Sequence, residues 1–406
     1  LNATGDATFA VECASVSDLG MRRANNQDAI ATVMANHGQW RERGHFFMVA
    51  DGMGAHAAGE LASKLAVDNV PHTYLKLPSV AAPAALRQAV HKANALIHEK
   101  GQSAGEFNGM GTTCSCLVLL PGAALIAHVG DSRVYRLRQQ RFEQLTFDHS
   151  LVWEMAAASQ TSADEVPACI PKNVITRSLG PNPTVNVDLE GPYDVRLGDK
   201  FLVCSDGLTG VVNDELIGSL VDSLPPQDAA NTLVDVANLR GGPDNISIVI
   251  AAIRGDSLGS VQCNGEAGKG ELEDASCHDM PTSLWERMFG WMWGSNGKEW
   301  CQSELGGPYG NGPYRDSACK PATAASDIGF LCRELTSLEK APESPIAKHA
   351  SVDWRAFRDS CAEAATSLEA NQHQTAVITY AKAIRHLMSQ VRSGREDDDS
   401  SASRVI

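Results

Sequence analysis

The chain is short of positive charge. Its 34 Lys and Arg stand against 49 Asp and Glu in 406 residues, which leaves a formal net charge of −15 and a pI near 5.2. Sites for a phosphate backbone are basic, so nucleic acid is excluded as the main partner, and acid-rich sites that take cations fit better. No apolar run approaches the roughly 18 residues that a membrane-spanning helix requires. The opening LNATGDATFAVECASV has no basic stretch followed by an apolar one, so no signal peptide is visible and a cytoplasmic protein is expected. There is no Cys-x-x-Cys pair, and the 11 cysteines are odd in number, so reduced thiols are the simplest reading. Cys114 and Cys116 flank Ser115 in a strand-like run and face one side of a sheet. They read as small core hydrophobes and not as a metal or redox pair. What remains, 43% hydrophobic and 20% charged residues, is the composition of an ordinary soluble protein long enough for two or three domains.

Acids at the ends of apolar strands are what the sequence does contain. In FFMVADGMGAHAAGELAS, residues 46–63, an apolar run ends at Asp51, Asp51-Gly52 and Gly54 break it, and a helical pattern follows. A carboxylate at the open end of a buried strand is costly unless something compensates it, and a hard divalent cation would do so. Gly52 lets the backbone approach closely enough to offer its carbonyl. Taken alone, Asp-Gly is equally a plain turn. The arrangement recurs, however: Asp131 follows a strand in HVGDSRVYRL, Asp206 follows one in DKFLVCSDGLTG, and Asp244 precedes one in GGPDNISIVIAAI. Four such acids are hard to explain as turns. Residues 130–132 read as a tight hairpin turn between two strands.

The first turn, SDLGMRRANNQDAI, sets Arg22 and Arg23 beside Asn25, Asn26 and Asp28. One reading is a solvated polar loop. The other is an arginine fork for a phosphate dianion next to an acid that helps hold a metal. Two helices, to about Leu77 and from Ala82 to about Lys100, cover a sheet, and His91 and His98 on the second are expected at the surface. Residues 147–198 read as an inserted flap over a sheet edge, a place where substrate choice is often set.

The order GMRRANNQD, VADGMGAHAAGE, GMGTT, VGDSRVYR, DHS, ITRSLG, LVCSDGL, GGPDNISIVI resembles the metal-dependent PPM (type 2C) Ser/Thr protein phosphatases in their bacterial form. The resemblance covers residues 9–254 and rests on many motifs in the family's order. It implies an α+β fold, two antiparallel sheets in a sandwich with helices on both outer faces, and two or three Mn²⁺ or Mg²⁺ ions at one end. By motif match, Asp51 bridges two cations and Gly52 lends a carbonyl. Asp206 and Asp244 bind the second and first ions, Asp28 holds metal-bound water, and Asp131 with Asp206 forms a third site. Arg23 binds the substrate phosphate, and Arg23, Asp51 and Asp206 carry the catalysis. The implied reaction is hydrolysis of phosphoserine or phosphothreonine by a water activated between two metals, with no nucleophilic side chain. A phosphoprotein from a bacterial Ser/Thr kinase signalling system is the implied substrate. The alternative is a catalytically weak scaffold on the same fold, which loss of an acid would favour, and none is missing. Two departures from the family pattern stand out. Ala55 replaces a Gly, and Met53 stands where eukaryotic members carry a His. The nearby His56 reads either as a substrate-orienting or proton-transfer group or as a loop residue.

Residues 255–350 read as a linker holding a short aromatic amphipathic segment, SLWERMFGWMWG, expected to dock on a neighbouring domain, with a partner-binding helix the next reading and a membrane-surface anchor the last, since the segment is short and carries little positive charge. Residues 351–392 carry two apolar stripes, Phe357, Cys361, Ala365, Leu368 and then Ala376, Tyr380, Ala383, Leu387, separated by Asn371-Gln372-His373. They read as a helical hairpin, tetratricopeptide-like or plain, whose apolar faces need cover from the phosphatase domain, another copy of the chain or a protein partner. Residues 393–406 read as a disordered tail. On this modular reading, truncation after about residue 256 leaves a soluble, active enzyme.

Overall fold

Apolar runs with side chains alternating between two buried faces form the strands, as the run Phe46, Phe47, Met48, Val49, Ala50 shows, every member fully buried. The structure is a computed structural model that describes residues 9–35, 42–54, 57–167, 169–171, 173–255, 263–264, 319–321 and 352–402. In chain order the elements are β1 (Phe9–Asp18), β2 (Asp28–Val33), β3 (His45–Met53), α1 (Ala57–Leu75), α2 (Ala82–Ser103), β4 (Gly111–Thr112), β5 (Cys114–Leu120), β6 (Ala123–Val129), β7 (Arg133–Arg138) and β8 (Arg141–Gln144). They continue with α3 (Leu151–Ser159), β9 (Asp188–Asp194), β10 (Lys200–Cys204), α4 (Asp206–Thr209), α5 (Asp214–Ser223), α6 (Pro226–Leu239), β11 (Ile246–Gly255), α7 (Trp354–Glu369) and α8 (His373–Ala402).

The strands form two sheets. One has the order β1-β11-β10-β7-β8, extended at its edges by Cys263–Asn264 beside β1 and Cys319–Pro321 beside β8. The other has the order β2-β3-β5-β6-β9, with β4 against the end of β3. All these pairings are antiparallel except that of Cys263–Asn264 with β1. Phe47, Val49, Leu117, Ile126, Phe201 and Val249 fill the space between the sheets. The opposite side chains of β3, Phe46 and Met48, pack under α1 and α2. Tyr135, Leu202 and Ile250 do the same under α5 and α6. The α+β sandwich with flanking helices is therefore the one expected. Cys114 and Cys116 share one face, their Sγ atoms 3.5 Å apart and buried, and burial pushes the Cys116 thiol well up.

Residues 130–132 are not a hairpin turn. β6 pairs with β5 and β9 in one sheet, and β7 pairs with β10 and β8 in the other. The link between them crosses the sandwich. Residues 19–27 do the same, joining β1 of the first sheet to β2 of the second. A short Gly-containing link looks alike locally whether its strands pair or diverge, and here the non-local partners decide. The expected break at Asp51 also moves: β3 continues to Met53, with Gly52 opposite Thr112.

The C-terminal hairpin is covered by α5 and α6. Phe357, Cys361, Tyr380, Ile384, Leu387 and Val391 join one buried cluster with Leu216, Leu220 and Leu233. Arg385 pairs with Asp228 and Arg392 with Asp235, both acids on α6. Burial pushes Asp235 up to about 6 against the pull of Arg392. Asn371, at φ 57°, takes the left-handed conformation that ends α7, where the sequence breaks its stripe. The tail expected to be disordered from residue 393 instead continues α8 as far as Ala402. Extending a formed helix fixes one residue per added bond, which is far easier than starting one. The aromatic segment at residues 283–294 lies outside the described residues. Among the described residues no helix is long and apolar enough to cross a membrane.

Candidate active site

Both crossing links lie at one end of the sandwich, together with the ends of β3 and β10 and the start of β11. That arrangement brings acids from both sheets to one seam. Asp28 opens β2 directly opposite Asp51 on β3. Asp51 is fastened by its backbone: its N–H donates to Thr113 Oγ1 at 2.8 Å, and its carbonyl accepts from Thr113 N at 2.8 Å and Thr112 Oγ1 at 2.9 Å. Gly52 next to it admits no side chain, because a Cβ there would lie 2.1 Å from the carbonyl oxygen of Gly59 and 2.6 Å from that of Gln27. Ser205, at the end of β10, donates to Asp28 Oδ2 at 2.7 Å, so the first sheet fixes an acid of the second. Asp206 follows Ser205 as the first residue of α4.

Asn245 shapes the loop that carries Arg23. Its Oδ1 accepts from Gln27 N at 2.8 Å, and its Nδ2 donates to Leu19 O at 2.9 Å and Asn25 O at 3.1 Å. In the loop so formed, Arg23 Nη2 donates to Asp244 Oδ2 at 2.7 Å, with the Arg23 side chain 47% exposed. Arg22 is exposed, so of the expected fork only Arg23 reaches an acid of this group.

The electrostatics of the acids follow from this crowding. Burial pushes Asp51 well above the carboxylate range, and Asp28, Asp206 and Asp131 add to it. Asp28 is raised to about 7, chiefly by burial and also by Asp206 and Asp244, against hydrogen bonds from Ser205 and Ser247. Asp131 is raised to about 8 by burial, Asp206 and Asp148, against Arg133. Asp206 is raised by burial and Asp244. One buried oxygen of each of Asp28, Asp131 and Asp206 has no hydrogen-bond partner. Such oxygens are costly unless paired or bound to a cation, so this set suits hard cations that prefer oxygen ligands. Among the described residues no three His, Cys, Asp or Glu side chains close around a single point. That spacing is compatible with Mg²⁺ or Mn²⁺, because Mg²⁺ keeps several of its waters and draws on one or two carboxylates.

The expected site residues Arg23, Asp28, Asp51, Gly52, Asp131, Asp206 and Asp244 thus stand at the same end of the sandwich. Ala55 and His56 lie outside the described residues. Reading the sequence missed Ser205, Thr113 and Asn245, each a small polar residue beside a motif acid or in a Gly-Thr-Thr turn. Adjacency to the motifs was the only signal they offered. It also missed His98, which is not simply a surface residue: its Nδ1 lies 2.8 Å from Gly180 O within the flap.

Comparison with known proteins agrees with this geometry. The family model for protein phosphatase 2C matches residues 21–238. Protein phosphatase PhpP of Streptococcus pneumoniae is 35% identical over 247 residues, 60% of this chain and 98% of PhpP. The crystal structure of the Mycobacterium tuberculosis serine/threonine phosphatase PstP/Ppp superposes with a TM-score of 0.54 at 31% identity, over 60% of this chain and 99% of that one. The PstP catalytic domain crystallised with two manganese ions superposes with a TM-score of 0.52 at 31% identity, over 61% of this chain and all of that one. Sequence motifs, sandwich and acid-lined seam converge with these relatives: the chain belongs to the protein phosphatase 2C family of metal-dependent Ser/Thr protein phosphatases.

Proposed function

We propose that the acids at the seam hold two or three Mn²⁺ or Mg²⁺ ions, and that Arg23 receives the phosphate of a phosphoserine or phosphothreonine substrate. The observation that carries this reading is the set of partnerless buried oxygens on Asp28, Asp131 and Asp206, acids that stand at the same end of the sandwich. In it, Asp51 and the Gly52 carbonyl, Asp206 and Asp244 hold the two central ions. Asp28 orients water, and Asp131 with Asp206 holds the third. The ions, when bound, supply a low-pKa water and neutralise phosphate charge.

The chain's own groups do the rest. Ser205 keeps Asp28 turned toward the seam, and Thr112 and Thr113 prevent the Asp51 backbone from moving. Arg23 is half exposed and held by one acid. With one carboxylate partner and an exposed side chain, it would exchange Asp244 for a phosphate oxygen and present a charge-assisted donor where negative charge gathers. The substrate is a phosphoprotein of a Ser/Thr kinase system in the cytoplasm. The hairpin α7–α8, tetratricopeptide-like in its small crossing residues Ala376 and Ala383, is a docking module for a protein partner. Its apolar faces are occupied by α5 and α6, so a partner engages its outer face.

The test is Asp206→Asn. The variant is expected to keep its circular dichroism, to lose Mn²⁺-dependent hydrolysis of a phosphothreonine peptide by at least about a hundredfold, and to bind fewer Mn²⁺ by calorimetry. Near-normal turnover at saturating Mn²⁺ would show the assignment to be wrong.

A further inference from the structure

The crossing link that carries Asp131 is held by a side chain the proposed reaction does not use. His149 grips Gly130, the residue before Asp131, at both backbone groups. Gly130 N donates to His149 Nδ1 at 2.9 Å, and His149 N donates to Gly130 O at 2.7 Å. Gly130 sits at φ 115°, and a Cβ on it would meet Thr113 Cβ at 2.6 Å, so the link is pressed against the residue that fastens Asp51. The His149 ring is 1% exposed and packs beside His128, their ring centroids 4.8 Å apart.

The other nitrogen of that ring fixes the tautomer. Because Nδ1 accepts from Gly130, a neutral imidazole carries its proton on Nε2 and donates to Asp188 Oδ2, 2.9 Å away. Asp188 Oδ1 accepts from Arg177 Nη1 at 2.7 Å. Arg177 Nη1 also lies 2.9 Å from His149 Nε2. With the proton on Nε2 both groups are donors, so that approach is not a hydrogen bond, and both converge on Asp188. Burial alone would push the Asp188 carboxyl up, but its bond to His149 and the Arg177 charge hold it below the usual range. Arg177 belongs to the flap, whose base is strapped to the same place: Thr176 N donates to His149 O at 2.8 Å, and Leu151 N to Val174 O at 2.9 Å.

We propose that His149 is a positioning residue for the Asp131 carboxylate. Asp188, oriented by its bond from Arg177, sets the tautomer that lets His149 accept from Gly130, and Arg177 ties the flap base to the same strut. The proposal rests on reading Asp131 as a cation ligand. A histidine held in one tautomer by a carboxylate beyond it is a common way of orienting metal ligands, and loss of such a partner typically lowers metal affinity about 10–100-fold. Here the histidine acts on the ligand's backbone and does not itself meet the ion.

The test compares His149→Gln, His149→Asn, Asp188→Asn and Asp131→Asn in the full chain. The readouts are Mn²⁺ calorimetry on metal-stripped protein and amide exchange of a peptide spanning residue 130. Gln can still reach Asp188 but offers no acceptor near Gly130 N. Asn keeps an acceptor there and loses Asp188. His149→Gln is expected to weaken one class of Mn²⁺ site about tenfold or more, the class that Asp131→Asn removes, and to speed exchange at Gly130. His149→Asn restores both to within about threefold of wild type. Should His149→Gln fail to fold, Asp188→Asn gives the same comparison by releasing the tautomer, with the same loss expected. If Asp131→Asn leaves Mn²⁺ binding unchanged, the cation-ligand reading fails and the proposal with it. If Asp131→Asn removes a site while the His149 and Asp188 variants bind Mn²⁺ and protect Gly130 like wild type, the positioning role is refuted and the metal reading stands.

Discussion

Asp131→Asn should stabilise the metal-stripped protein, and the gain should grow with pH. Asp131 is 6% exposed, and its pKa is pushed from 3.8 to about 8, first by burial and then by Asp206 and Asp148, against Arg133. In the unfolded chain the same carboxyl ionises near its ordinary value of about 3.9. Below that pH it is protonated in both states, and the neutral, similarly shaped Asn changes little. From there to about pH 8 the folded protein retains a proton that the unfolded chain has released, so folding stability falls as pH rises. A separation of about four units, at about 1.4 kcal/mol each, sets a ceiling of roughly 5–6 kcal/mol on that loss. Water at the open end of the sandwich and adjustment by Asp206 lower the realised value, and a gain of about 2 kcal/mol at pH 8.5 is expected for Asn. The assay is urea unfolding of both proteins after chelation, at about pH 4.5, 7 and 8.5. With Mn²⁺ added the order should reverse, because cations binding only the folded state stabilise the wild type more than the variant. Parallel pH curves for the two proteins, or a variant less stable than wild type at pH 8.5 without metal, would refute the reasoning.

Three further outcomes are expected. Arg23→Ala should raise KM for a phosphopeptide about tenfold, with a smaller change in kcat, since one charge-assisted bond to the phosphate is removed from ground and transition states alike. Steady-state kinetics at saturating Mn²⁺ check it, and an unchanged KM returns Arg23 to the solvated loop. Ile384→Ala, at a fully buried position in the cluster shared by α8, α5 and α6, should cost about 2–4 kcal/mol in the same cooperative transition that unfolds the sandwich. The packing also reverses the expectation for truncation: deleting residues 352–406 uncovers the apolar faces of α5 and α6 and should lower solubility. Two separate melting transitions, with only the first moved by Ile384→Ala, would restore the modular reading.

Much of the site was legible because an acid beside an apolar strand is chemically conspicuous. Asp51, Asp131, Asp206 and Asp244 each interrupt or border runs that otherwise read as buried β-structure, and Asp28 follows two arginines in a polar loop. The two layers of helices were legible from their apolar stripes. The partner of the C-terminal hairpin was not, because Tyr380 and Leu387 say only that a face must be covered. Ser205, Thr113, Asn245 and His149 were illegible for a related reason. Their roles depend on backbone groups far away in sequence, and a hydroxyl, amide or imidazole beside a motif has no periodicity to mark it.

The misread hairpin at residues 130–132 shows where local pattern runs out. Two strands joined by a short link with Gly usually pair, yet β6 and β7 go to different sheets, and so do β1 and β2. Had either link been a hairpin, Asp28 or Asp131 would have stood at the edge of a single sheet, facing solvent, where a carboxylate needs no cation. The crossings bring acids of one sheet against those of the other, Asp131 and Asp51 beside Asp206. Burial and like charge there make the ionised set unfavourable without compensation. On this account the topology itself creates the demand for metal: stability of the stripped protein and affinity for cations are opposite expressions of the same crowded carboxylates. A substitution that relaxes the crowding should therefore stabilise the metal-free fold and weaken the cation site together.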